Sequence, residues 1–211
     1  IQNNTKSIVG VDDNTKPVQE AKETAIISVC AGDGLKDAFL ELHCDYVVSG
    51  GQTMNPSAED MVQAIKNLNA KNVIILPNNS NIVMTAQQTA TILEDEVNVI
   101  VIPTKTIPQG LSACIMFNPD AALDDNVAEM NEAIKNVKTG QVTFAIKDTV
   151  IDGVEIKAND YMALVEKDIV ACKDNKLKAL KVVLESLIDD DSELVTLIYG
   201  EDVNDEDIEE I

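Results

Sequence analysis

The sequence predicts an α/β fold: a parallel-sheet lobe with helices on both faces, followed by a smaller α+β lobe. Three observations carry this. From Ala25 onward, strand-like and helix-like stretches alternate four times. The strand-like runs, AIISVCA, CDYVVSG, NVIIL and VNVIVIPT, are continuously apolar, as strands buried on both faces require. From about residue 139 the pattern changes to the alternation of antiparallel strands.

Composition narrows the function before any motif is considered. The chain has 211 residues and a net charge of −21, from 37 acidic and 16 basic side chains, and every basic side chain is a lysine. It therefore lacks the bidentate guanidinium clamp and repels nucleic acid and anionic membrane surfaces. Neither nucleic-acid binding nor membrane insertion is expected. With no apolar run of 18 residues and no signal peptide at the start, a cytoplasmic location is expected. Cys30, Cys44 and Cys114 fall in or beside apolar stretches and read as buried thiols, while Cys172 completes a set with no CxxC pair. His43 beside Cys44 is too little for a zinc site, which wants four ligands at recognisable spacing. No metal site is expected.

Taken in order, residues 1–24 are polar and read as a linker from an upstream domain. A strand over Ala25–Ala31 runs through Gly32-Asp33-Gly34 into a helix with Leu35, Ala38, Phe39 and Leu42 on one face. That turn has no third fingerprint glycine, and Asp33 would meet a phosphate with negative charge, so it reads as a plain βα turn. The strand ending at SGG leads to a helix capped by Ser57, with Glu59 and Asp60 in its first turn. The stretches KNVIIL and VNVIVIPT are the next strands, each followed by a polar loop and a helix, and Pro108 suits the start of the last. A helix over 120–137 buries Val127, Met130, Ile134 and Val137. The second lobe, 139–211, turns at Ile151-Asp152-Gly153 and at Ala158-Asn159-Asp160. A helix, NKLKALKVVLESLI, and a strand, ELVTLIYG, follow.

Right-handed crossovers place three polar loops on one edge of the parallel sheet. Gly50, Gly51, Gln52, Thr53, Asn55, Pro56 and Ser57 come from the first, Asn78, Asn79 and Asn81 from the second, and Thr104, Gln109 and Gly110 from the third. Glycines allow close backbone approach, and the amides and hydroxyls supply hydrogen bonds. These are the candidate ligand-facing or partner-facing residues. The plainer alternative, well-capped βα turns without a ligand, stays open. No nucleophile–base pair is visible, so no catalytic residue is assigned.

The segments GGQTMNPS (50–57), ILPNNSNI (75–82), VIPTKTIPQGLSA (101–113), VKTGQVTFAIKDTVIDGVEIKANDY (137–161) and SELVTLIYGEDV (192–203) together resemble one family. It is the carboxyl-terminal region of the bacterial fatty acid kinase catalytic subunit, which is dihydroxyacetone-kinase-like. In that family an ATP-binding, DhaL-like domain comes first and holds magnesium with clustered aspartates. No part of this chain resembles that domain, so ATP and magnesium are implied for a missing part and no cofactor for this one. The resemblance also implies a helix and strand beyond Val203. The acidic stretch from 201, seven acids in eleven residues, is then a stranded first turn, irregular on its own, and the second sheet has an unpaired edge.

The same region is similar in design to the DegV-like fatty-acid carrier whose bound fatty acid the kinase phosphorylates. Thr53-Met54-Asn55-Pro56-Ser57 keeps the Thr, Pro and Ser of the carriers' Thr-Ser-Gln-Pro-Ser loop. Asn81-Ile82-Val83-Met84-Thr85 stands where carriers have a Ser-Gly-Thr turn, and the Ser-Gly pair is gone. Residues 140–211 contain neither the histidine nor the arginine that carriers use in the second lobe. A buried carboxylate needs such donors. The leading expectation is therefore a non-catalytic domain that docks a DegV-like fatty-acid carrier so that the absent ATP-binding domain can phosphorylate the bound fatty acid. The alternative is a lipid-binding or small-molecule-binding module using the loops directly. A homodimer is left open.

Overall fold

Lys22–Cys30 forms the central strand, β1, and its last six residues are buried because both faces of the sheet are covered. The computed structural model describes residues 21–51, 54–201, 203, 204, 207 and 209. The chain divides after Ile134 into two units. In the first, β1 is followed by α1 (Asp33–Glu41), β2 (Tyr46–Ser49), α2 (Ala58–Lys66), β3 (Ala70–Leu76), α3 (Ser80–Ile92), β4 (Asn98–Val101), α4 (Ile107–Met116) and α5 (Leu123–Ala133). The strands are all parallel, in the order β2-β1-β3-β4. The fold is thus α/β with a parallel sheet, as the continuous apolar runs predict.

Alternate residues of each strand feed two separate cores. Ile27, Val29, Val73 and Ile75 pack with Met61 and Ile65 of α2 and Ile82 and Ala86 of α3. Ile26, Ile74 and Leu76 pack on the opposite face with Phe39 of α1, Cys114 of α4 and Met130 of α5. Fully burying each such side chain contributes about 1.5–3 kcal/mol, and this sets the strand register. Cys30, Cys44 and Cys114 are all buried here.

The second unit holds β5 (Gly140–Phe144), β6 (Thr149–Ile151), β7 (Val154–Ile156), β8 (Tyr161–Val165), β9 (Asp168–Lys173) and α6 (Lys176–Leu187). Strands β5, β8 and β9 form an antiparallel sheet, while β6 and β7 form a hairpin. Asp152 and Gly153 turn that hairpin at φ 49° and 83°, the positive values a tight two-residue connection needs. Ala163 of β8 packs against Ala179 and Val183 of α6.

Four expectations are corrected. The sheet begins at Lys22, three residues inside the stretch read as linker, because Lys22 and Thr24 already pair with Ala70 and Asn72. Residues 1–20 lie outside the described residues. Helix α5 stops at Ala133, so Val137 is not on its buried stripe. The segment ELVTLIYG forms no strand: Leu194, Val195, Leu197, Ile198 and Tyr199 are exposed, and no ladder reaches them. Composition favours a strand, but a strand also needs a partner, which a local sequence cannot supply. Finally, Asp207 and Glu209, which fall in the stretch expected to be irregular, are helical. The Asn204 Oδ1 accepts from the Asp207 N–H at 2.9 Å, the Asp207 carboxylate accepts from the Asn204 N–H at 3.3 Å, and Lys176 pairs with Asp207.

Candidate functional site

The chain leaves β1 toward β2 on one side and later crosses to β3 on the other. The carboxyl ends of β1 and β3 therefore flank the switch point where open parallel sheets bind ligands. Here that position is occupied by Asn78. Its side-chain NH2 donates to the Ser28 Oγ at 2.7 Å and to the Val29 carbonyl at 2.9 Å. Its backbone N–H donates to the Thr104 Oγ1 at 2.9 Å, and the Thr104 hydroxyl returns a bond to the Asn78 Oδ1 at 2.8 Å. Asn78 adopts φ 57°, a left-handed conformation that asparagine tolerates better than most residues. Asn78, Thr104 and Ser28 are all buried.

Both amide protons of Asn78 and the Thr104 hydroxyl are thus spent inside the protein. The group ties the ends of β1 and β3 to the segment after β4. Gly110 completes it: a Cβ there would lie 2.0 Å from the Asn78 Oδ1, so only glycine lets α4 approach.

The other predicted residues divide by role. Asn79 caps α3, its Oδ1 accepting from the Asn81 N–H at 2.9 Å. Asn81 itself is exposed. Gln109 is turned inward: its Oε1 accepts from the Lys105 N–H at 2.7 Å and its Nε2 donates to the Ile134 carbonyl at 3.1 Å. Ser57 caps α2 in a reciprocal box with Asp60, whose carboxylate accepts from the Ser57 hydroxyl at 2.7 Å and the Ser57 N–H at 2.9 Å. Those bonds, the hydroxyl's first, hold the Asp60 carboxyl below the usual carboxylate range.

Gly50 is crowded by its own loop, since a Cβ would meet the Pro56 Cδ at 2.6 Å. Gly51 donates to the Met54 carbonyl at 2.8 Å and closes the turn. Pro56 is buried and Asn55 exposed, while Gln52 and Thr53 lie outside the described residues. Sequence reasoning does not single out Ser28 or Thr106, yet both belong to the site. Ser28 carries a signal, as the one hydroxyl inside the run AIISVCA. Thr106 carries the capping one, its Oγ1 accepting from the Gln109 N–H at 3.3 Å.

What faces outward is therefore a mixture of capped loop backbone, exposed Asn55 and Asn81, and the side chains of Met54 and Met84, exposed by 58% and 69%. Methionine is a soft, adaptable contact residue, suited to a protein partner. Burial pushes the Cys30 thiol at the end of β1 up to about 11, partly offset by Lys36, so it is no nucleophile near neutral pH. Among the described residues no group of three or more histidines, cysteines or acids could hold a metal ion. No helix among the described residues is long and apolar enough to cross a membrane.

The FakA-like, C-terminal family of fatty acid kinase matches residues 25–211. Protein YloV of Bacillus subtilis is 46% identical over 200 residues, which are 95% of this chain and 35% of that protein. An uncharacterized protein of Staphylococcus epidermidis is 44% identical over 92% of this chain and 35% of its own length. One from Staphylococcus aureus is 46% identical over 89% and 34%. The chain thus spans about a third of these relatives. Among solved structures, a DegV lipid-binding protein from Thermotoga maritima shares the fold with TM-score 0.57 and 14% identity, covering 78% of this chain and 76% of that one.

Proposed function

Since the chain belongs to the FakA-like, C-terminal family of fatty acid kinase, we propose that it is a non-catalytic docking domain. It binds a DegV-like fatty-acid carrier and presents it to an ATP-binding kinase domain carried elsewhere in the longer protein. The observation that supports this most is the Asn78 lock. A crevice that is to hold a carboxylate must keep donors free in an apolar setting. Here the donors of Asn78 and Thr104 are consumed by Ser28, Val29 and each other. The outer surface of the same edge offers exposed methionines and loop backbone, the material of a protein contact. The carrier would meet a chain of net charge −21 with a basic surface, and complementary charge speeds the encounter.

The test is a pull-down of the organism's DegV-like carriers, followed by association kinetics at low and high salt. Stable capture is expected, with an on-rate that falls as salt rises. Failure to bind any such carrier would overturn the reading. The 211-residue chain alone is expected to transfer no phosphate from ATP to carrier-bound fatty acid, and measurable transfer would contradict the non-catalytic assignment.

A second reading is a lipid-binding module that uses the loops directly. One observation favours it: the protein that shares this fold at TM-score 0.57 is described as lipid-binding. Fatty acid found by mass spectrometry in the protein purified under native conditions would favour this reading over docking.

A further inference from the structure

The opposite edge of the parallel sheet, where the strands begin, carries a hollow of about 660 Å³ that the docking reading does not use. Leu40 at the end of α1 and Phe117, Pro119 and Leu123 around the start of α5 form an apolar part of its wall, while Lys22, Glu23, Thr24, Asp45, Asn72 and Asn126 make the rest polar, Glu23 being paired with Lys71. The His43 and Phe117 rings stand beside each other at 6.4 Å, tilted by 57°. Its floor is already satisfied. The Asp45 carboxylate accepts from the Ile26 N–H at 2.8 Å and pairs with Lys22. The buried Asn126 amide accepts from the Asn118 N–H and donates to the Asn118 carbonyl, both at 2.8 Å.

The charge lies beside the hollow instead. Asp120, Asp124 and Asp125 are exposed, lie within two residues of lining positions, and have no lysine partner among the described residues. Two of them also serve the first turn of α5, whose N-cap, Ala122, has no side-chain bond to offer. That role explains their place in the helix but leaves their outer faces without a counter-charge.

We propose that this hollow receives an arginine side chain presented by a basic protein partner. An arginine suits both parts at once. Its aliphatic stem lies along Leu40 and Leu123, its planar head stacks on the Phe117 or His43 ring, and its charge meets the aspartates. The occupant comes from outside these 211 residues, which contain no arginine, and the lysine that lines the hollow, Lys22, is committed to Asp45. A chain of net charge −21 also draws a basic surface toward it. The site stands apart from the loop edge, so it holds or fails independently of carrier docking.

The experiment is an NMR titration of the whole 211-residue chain with the tripeptide acetyl-Gly-Arg-Gly-amide, run beside its lysine and glutamate counterparts. Shifts centred on Leu40, His43, Phe117 and Leu123 are expected, strongest for arginine, weaker for lysine and absent for glutamate, and diminishing with salt. The variant Asp120→Asn/Asp124→Asn/Asp125→Asn should weaken arginine binding about tenfold, from three exposed charge contacts. Asp125→Glu should retain it, and both variants are checked for native circular dichroism. Shifts scattered over the acidic surface, equal binding of the glutamate peptide, or an unchanged triple variant would overturn the proposal.

Discussion

Gly110 and Asn78 approach so closely that one carbon added to Gly110 would sit 2.0 Å from the Asn78 Oδ1. The contact joins helix α4 to the loop after β3, and the position of that loop decides what the sheet edge displays. Gly110→Ala is expected to destabilise the protein by about 1–3 kcal/mol, as overpacking of a filled interior does, despite alanine's better helix propensity. Urea denaturation measures it. Asn78→Gly, which keeps the positive φ and vacates the space, should make Gly110→Ala nearly harmless in the double variant.

Thr104→Val preserves shape and removes the hydroxyl. The Asn78 N–H then loses its acceptor at 2.9 Å and the Asn78 Oδ1 its donor at 2.8 Å, both in a buried setting. The expected cost is about 1–3 kcal/mol, with faster hydrogen exchange at the Asn78 amide. An unchanged exchange rate would mean that another group holds the loop.

The thiols set the alkaline limit. Burial pushes Cys44 and Cys114 up to about 12, from an ordinary value of 9.0. Above pH 9 the unfolded thiols release protons that the folded ones keep, so the unfolded state binds fewer protons and stability falls with pH. The loss should start near pH 9 and continue to about pH 12, and be absent below pH 8. Urea melts of the wild type and of Cys44→Ala/Cys114→Ala across this range test it, the variant losing less over the same interval. At pH 8, a thiol reagent should label Cys172, the partly exposed one, well before the three buried cysteines.

The Ser57–Asp60 box acts at the acid end. The folded carboxyl lies below its unfolded value, so its contribution is present above about pH 4 and is lost as pH falls through the folded value. Ser57→Ala should move the Asp60 titration, followed by NMR, up toward the ordinary carboxylate range, with the Ser57 N–H bond still holding it partly down. An unmoved titration would assign the shift to something other than the cap.

Local chemistry was enough for much of this protein. Continuous apolar runs announced a parallel sheet buried on both faces because each side of β1 must be covered. Ser57 ahead of the helix announces its cap, though not the bond that Asp60 returns, and Asp152-Gly153 announces a turn between antiparallel strands, since each is a contact between near neighbours in the chain. The loops from 50, 78 and 104 were likewise assigned to one edge by topology alone.

What each loop residue does there was decided only by tertiary structure. Asn78 reads in sequence as an exposed loop amide, yet contacts 26 and 50 residues away bury it as a lock. Gly110 reads as a loop glycine and is a helix packing contact with Asn78. ELVTLIYG has the composition of a strand and forms none, because a ladder needs a second strand that composition does not specify. Hydrogen bonds between near neighbours are written into the sequence. Those that close over fifty residues depend on where the sheet has brought the chain.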